Sequence, residues 1–204
     1  MTRVAVLGTG QVGRVLAGRL ADVGHDVVVG SRTASDDART FADAATHGEV
    51  VVNATGGIVS IDALTMAGAD NLAGKPLLDL SNALDHSGGF PPEVRTTQAE
   101  SNAERIQAAF PSARVVKWLN TMNNSVMTDP RQLPGPHTTF VAGDDADAKD
   151  VARGLLRDMG WTDDEIVDLG DLTGARGLEL YLVLWLRMAG ALGGSGFNIH
   201  VVRG

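Results

Sequence analysis

A length of 204 residues with 44% hydrophobic and 21% charged residues describes an ordinary globular chain and argues against disorder or a fibrous repeat. A net charge of -8 disfavours a general nucleic-acid or anionic-membrane surface, because both require positive patches. The absence of cysteine excludes disulfides, thiolate nucleophiles and cysteine metal sites, and fits a reducing, cytoplasmic setting.

Strand-like runs alternate with helical patterns from the first residues onward. The strands are expected at Arg3–Leu7, Asp26–Gly30, Glu49–Asn53, Pro76–Leu80, Arg114–Leu119, Thr138–Ala142 and Glu165–Leu169. Helices are expected near Gln11–Val23, Asp36–Ala45, Ser60–Ala67, Gln98–Phe110 and Asp145–Met159, with Asp36 and Asp37 capping the second. Gly24 and Gly160 stand where helices end in a left-handed residue. Asp85–Pro92 and Asp129–Pro136 read as loops, since neither helices nor central strands tolerate such prolines.

Several strands are unbroken apolar runs, as a parallel sheet covered on both faces requires. The predicted fold is therefore α/β, a doubly wound, mostly parallel sheet of the Rossmann type. All 204 residues are read as one domain, with the core over 1–170 and an appended helix and strand over 171–204. Leu178–Leu192 is nearly all apolar, but it falls short of the roughly 20 residues of a bilayer span. It also carries Glu179 and Arg187, so it is expected to be a helix buried on most sides, with Phe197–Arg203 as a short closing strand.

The first strand meets the first helix through Gly8-Thr9-Gly10-Gln11-Val12-Gly13. Glycines at these three positions permit a tight turn, close approach to a pyrophosphate and tight helix–strand packing. The diphosphate then faces backbone N–H groups at the positive end of a helix. After the second strand, many dinucleotide folds carry an acidic residue that bonds the ribose of NAD. Here the chain reads Ser31-Arg32-Thr33, whose hydroxyl and guanidinium donors suit the 2′-phosphate of NADP instead.

In doubly wound sheets, ligands lie beyond the carboxyl ends of the strands. Those ends read Asn53-Ala54-Thr55-Gly56-Gly57, Ser81-Asn82-Ala83-Leu84-Asp85-His86 and Asn120-Thr121-Met122-Asn123-Asn124. They are rich in amides and hydroxyls, and poor in paired carboxylates. Such groups orient a carboxamide or a flat heterocycle, which suits hydride transfer better than nucleophilic or acid–base chemistry. Asn53, Ala54, Thr55, Asn82 and Asn120 are the candidate cofactor contacts here; His86, Thr121 and Met122 are candidates for the second substrate. No catalytic acid or base is assigned, and no spacing matches a metal site.

The glycine-rich turn, Val27-Val28-Val29-Gly30-Ser31-Arg32, Lys117–Asn123 with Val126-Met127, and Leu169–Gly177 with its following apolar helix resemble the NADP oxidoreductases that depend on the deazaflavin coenzyme F420. More distant likenesses are to the cytosolic domains of six-transmembrane ferric reductases and to pyrroline-5-carboxylate reductases. The resemblance implies hydride exchange between nicotinamide C4 and deazaflavin C5. It assigns Thr9, Gly10, Gln11 and Val12 to pyrophosphate and ribose, Ser31 and Arg32 to the 2′-phosphate, and Thr55 with Asn120–Met122 to the border between nicotinamide and acceptor. Compared with that family the chain is short between Arg32 and Phe41, so an abbreviated second helix is expected. The functional expectation is thus an NADP(H)-binding oxidoreductase with a deazaflavin or flavin-like co-substrate. A non-catalytic redox sensor and an imine or keto reductase are the alternatives. The apolar helix at 178–192 is expected to meet a second copy in a homodimer.

Overall fold

The computed structural model describes residues 1–202. Along the chain run β1 (Arg3–Leu7), α1 (Gln11–Asp22), β2 (Asp26–Ser31), β3 (Arg39–Thr40), α2 (Phe41–His47), β4 (Val50–Asn53), α3 (Ser60–Ala67), α4 (Ala69–Leu72) and β5 (Pro76–Asp79). Then follow β6 (Leu84–Asp85), β7 (Glu93–Val94), α5 (Asn102–Ala109), β8 (Arg114–Trp118), α6 (Asn124–Thr128), β9 (Thr139–Ala142), α7 (Ala146–Asp158), β10 (Ile166–Asp168) and α8 (Ala175–Leu192). The main sheet is ordered β10-β9-β8-β5-β4-β1-β2-β3. Its pairings are parallel except β8–β9, so the expected doubly wound, mostly parallel sheet is the observed one.

Both faces of this sheet are covered, which is why its strands are continuous apolar runs. On one side Leu16 and Leu20 of α1, Val126 of α6 and Leu155 of α7 pack on Val4, Val6 and Val116. On the other, Ala44, Leu64 and Ile106 pack on Ala5, Val51 and Val115. Helix starts are set by side-chain caps. Ser101 accepts from Glu104 N in a full capping box, and Asp145 accepts from Ala148 N. Gly24 and Gly160, with φ of +96° and +108°, end α1 and α7 as expected.

Four expectations need correction. The second helix starts at Phe41, where Thr40 is the cap; Asp36 and Asp37 lie in a tight turn closed by Ser35 N donating to Ala38 O at 2.8 Å. Asp37 faces Arg14 instead, at 3.7 Å. The 85–92 segment is the loop of a hairpin, with Leu84–Asp85 antiparallel to Glu93–Val94, and Pro130–Gln132 makes one 3-10 turn in the second loop. Residues 197–202 form no strand, and Arg203 lies outside the described residues. Thr138 N donates to Ile199 O, but the Asn198 side chain takes Thr138 O, the acceptor a ladder would have used. Finally, α8 buries only a stripe, Ala175, Leu178, Glu179 and Leu182, and leaves Val183, Leu184 and Leu192 more than half exposed.

Candidate active site

The glycine-rich turn joins the end of β1 to α1. Gly8 has φ of +126°, and a Cβ there would stand 2.6 Å from Ala54 O on the neighbouring strand end. A Cβ on Gly13 would overlap the Gly8 carbonyl, so this residue lets α1 pack onto the turn. Gly10 differs: a Cβ would meet nothing within 4 Å. It is the N-cap of α1, and no side chain caps the first N–H groups. The open side of Gly10 is therefore a backbone-lined cradle of the kind a diphosphate fills.

Two cavities meet at this turn. One, of about 720 Å³, is lined by Gly8, Thr9, Gly10, Ser31, Arg32 and Thr33 on one side and by Thr55, Val59, Asp62 and Met66 on the other. The second, of about 390 Å³, runs from Gly10, Gln11 and Val12 past Ser81, Asn82 and Asn120 to Met122, Met127, Leu182 and Trp185. Gly10, Ala54, Thr55 and Gly56 border both, so the two cavities form one bent cleft. Among the described residues, the 390 Å³ cavity is lined by no acidic, basic, histidine or tyrosine side chain.

Its polar groups are held rigidly. Asn82 Nδ2 donates to Asn120 O at 3.1 Å, and Asn120 Nδ2 donates to Asn82 Oδ1 and Leu178 O, both at 3.0 Å. Those bonds fix the Asn120 amide and leave its Oδ1 buried without a partner. The turn presenting Asn120 is strained, since buried Leu119 has φ of +54°, a region costly for a branched side chain. Thr55 Oγ1 donates to Asn53 Oδ1 at 2.6 Å, and Asn53 Nδ2 donates to Asp79 Oδ1 at 2.8 Å.

Behind this cavity lies a fully buried ammonium. Lys117 Nζ donates to Asp79 Oδ2 at 2.8 Å and to Ser81 O, and pairs with Glu179 Oε1 at 2.9 Å. Burial pushes the Lys117 pKa down, but the charges of Asp79 and Glu179 and their hydrogen bonds outweigh it and hold it above the usual lysine value.

The amino-terminal part of the chain, residues 3–83, matches the family described as "NADP oxidoreductase coenzyme F420-dependent". A solved protein from Arthrobacter sp. FB24, described as a proposed F420-dependent NADP reductase, shares 46% identity over the whole of both chains with a TM-score of 0.94. This chain belongs to that family. That family is one of NADP oxidoreductases. The rat metalloreductase STEAP3 is 33% identical over 87% of the chain, and human STEAP2 is 26% identical over 86%. The chain spans 36% and 35% of the lengths of those curated relatives. An imine reductase from Aspergillus terreus, at 19% identity over 95% of this chain and 63% of its own, shares the fold with a TM-score of 0.66.

Of the residues that sequence reasoning singled out in this family member, Gly8, Thr9, Gly10, Ser31, Arg32 and Thr33 converge on the larger cavity. Gln11, Val12, Asn82, Asn120 and Met122 converge on the smaller, and Ala54 and Thr55 on both. Gly13 and Asn53 lie behind the walls, in packing and hydrogen-bonding positions. Thr121 is buried but lines neither cavity, and His86 lies in the hairpin loop away from both. Leu182 and Trp185 were missed as cavity residues because α8 is remote in sequence from the strand ends. A signal for the buried lysine was available: Asp79, Lys117 and Glu179 each interrupt an otherwise apolar run.

Proposed function

We propose that the bent cleft carries NADP(H) with its adenosine 2′-phosphate beside Ser31, Arg32 and Thr33 and its nicotinamide beside Thr55 and Asn120, and passes hydride to a flat deazaflavin or flavin-like acceptor. The observation that carries this reading is the uncharged 390 Å³ cavity joined, at Thr55 and Gly56, to a cavity bearing Arg32. The Arg32 guanidinium can bond a phosphate, and the Ser31-Arg32-Thr33 run carries no carboxylate to accept from a ribose. The open face of Gly10 fits the diphosphate, and the Asn82 and Asn120 amides border the place of a carboxamide.

When bound, NADPH supplies a hydride at the nicotinamide ring. The chain's part is to bind, orient and exclude water. Thr55 and the Asn82–Asn120 pair fix polar edges, while Leu182, Trp185, Met122 and Met127 supply apolar walls. Reduction of an imine or ketone requires a proton donor at the substrate, and the lining has no acidic, basic, histidine or tyrosine side chain to serve. A deazaflavin or flavin delocalises the charge it receives and takes its proton from water. This supports the conjugated acceptor over the imine or keto substrate.

The exposed Val183, Leu184 and Leu192 of α8 support a homodimer in which a second copy covers this face. No helix among the described residues is long and apolar enough to cross a membrane. Anaerobic mixing of the protein with NADPH and oxidised coenzyme F420 tests the acceptor. Loss of the deazaflavin absorbance is expected, whereas no reduction of deazaflavin, FMN or FAD overturns the reading.

A further inference from the structure

The three segments that close the smaller cavity come from β5, β8 and α8, and each has one charged residue just before its cavity residues. Asp79 precedes Leu80–Asn82, Lys117 precedes Asn120, and Glu179 lies one helical turn before Leu182. These three side chains meet, all 0–1% exposed.

The network is fully occupied. Lys117 places its three protons on Asp79, Ser81 O and Glu179. Glu179 Oε1 also accepts from Ala103 N at 3.2 Å; its Oε2 accepts from Asn102 N at 2.8 Å and from the Thr96 hydroxyl. The carboxylate therefore sits on the first N–H groups of α5, where the helix field favours negative charge. Asp79 Oδ1 accepts from Ser81 N and from Asn53 Nδ2, and Asn53 holds Thr55.

Buried charges are a poor route to stability, since apolar side chains of similar volume serve as well or better. What a satisfied charge network supplies is geometry: it tolerates one arrangement of its members and penalises others. Here that arrangement fixes the α8 stripe bearing Leu182 and Trp185 against the ends of β5 and β8. We propose that Asp79, Lys117 and Glu179 form a positioning device for the acceptor cavity, with Glu179 setting acceptor affinity rather than nucleotide affinity. The proposal rests on the reading of that cavity as the acceptor's.

Glu179→Gln tests it, with Arg176→Gln as comparison. Arg176 ties the first turn of α8 to Glu104 and lines neither cavity. A glutamine at 179 must turn its NH2 either toward Lys117 or toward the α5 N–H groups, opposing donor to donor. In the full chain, Glu179→Gln should raise the acceptor KM, measured with F420 or FMN, about tenfold, with kcat and NADPH affinity within about threefold, as the loss of one charge-assisted bond implies. Amide exchange over 178–185 should rise in Glu179→Gln more than in Arg176→Gln, and Arg176→Gln should leave the acceptor KM unchanged. Should Glu179→Gln not fold, the neutral triple variant Asp79→Asn, Lys117→Met, Glu179→Gln carries the same expectation for KM. Equal losses of NADPH and acceptor affinity, or matching KM changes in Glu179→Gln and Arg176→Gln, would overturn the proposal by showing a merely structural role. If the wild-type protein reduces no acceptor, the functional reading fails, and the exchange comparison alone decides whether the triad positions α8.

Discussion

Gly10 and Gly13 stand three residues apart in one turn, yet a methyl group meets different surroundings at each. At Gly10 it would point into open space, with the backbone at φ of -67°, a value any residue adopts. Gly10→Ala should leave stability unchanged or raise it by about 0.5 kcal/mol, since alanine restricts the unfolded chain, while NADPH affinity falls because the methyl fills the diphosphate cradle. Gly13→Ala should instead destabilise the fold, because the methyl overlaps Gly8 O. Thermal unfolding and nucleotide titration of both variants check the contrast; equal behaviour would remove the distinction between cradle and packing. The glycine pattern and the Ser31-Arg32-Thr33 run were legible because local spacing defines them. Lys117 was not. Its partners lie 38 residues upstream on Asp79 and 62 residues downstream on Glu179, a convergence that only the sheet order creates.

At the scale of elements, α8 is fastened to α5 by two carboxylates. Glu179 reaches the α5 N-terminus, and Glu104 within α5 receives Arg176 Nε at 2.9 Å while closing the Ser101 capping box. The Arg176 guanidinium holds the Glu104 carboxyl down, outweighing partial burial, at a pKa of about 2. The folded carboxyl thus binds its proton less readily than the unfolded one, so its contribution to stability is present above about pH 4.5 and is lost as pH falls toward 2. Urea unfolding of the wild type should show this loss across that window, and Glu104→Gln should show a shallower decline; parallel slopes would contradict the assignment. Lys117 has the opposite sign. Its raised pKa gives a contribution that persists up to the ordinary lysine range and disappears as pH climbs above it. Most strands and helices were readable in the sequence because a sheet covered on both faces needs unbroken apolar runs and capped helices. The start of α2 was misread because two consecutive aspartates resemble a cap, whereas Thr40 makes the bond to Asp43 N at 3.1 Å. The tail after α8 was misread because side-chain bonds from Asn198 replace the ladder that its β-branched residues suggested.

For the whole molecule, the sheet brings three strand ends to one edge, and α8 closes the cleft from the far end of the chain. The same helix presents Val183, Leu184 and Leu192 outward. Light scattering should therefore give a mass near twice the 21.3 kDa of the chain. Leu184→Glu should shift it to the monomer, because a carboxylate in an apolar interface is costly. A wild-type monomer would show that this face has no second copy. The fold and the larger cavity follow from patterns close in sequence. The smaller cavity depends on α8, and is correspondingly harder to read from the sequence. The most direct test of the account is calorimetric titration of the wild-type protein and Arg32→Asp with NADPH and NADH. NADPH should bind the wild type more tightly, and the substitution should weaken NADPH by about tenfold or more, the equivalent of one charge-assisted bond, while leaving NADH nearly unchanged. Equal affinity for both nucleotides in the wild type, or equal losses in the variant, would contradict it.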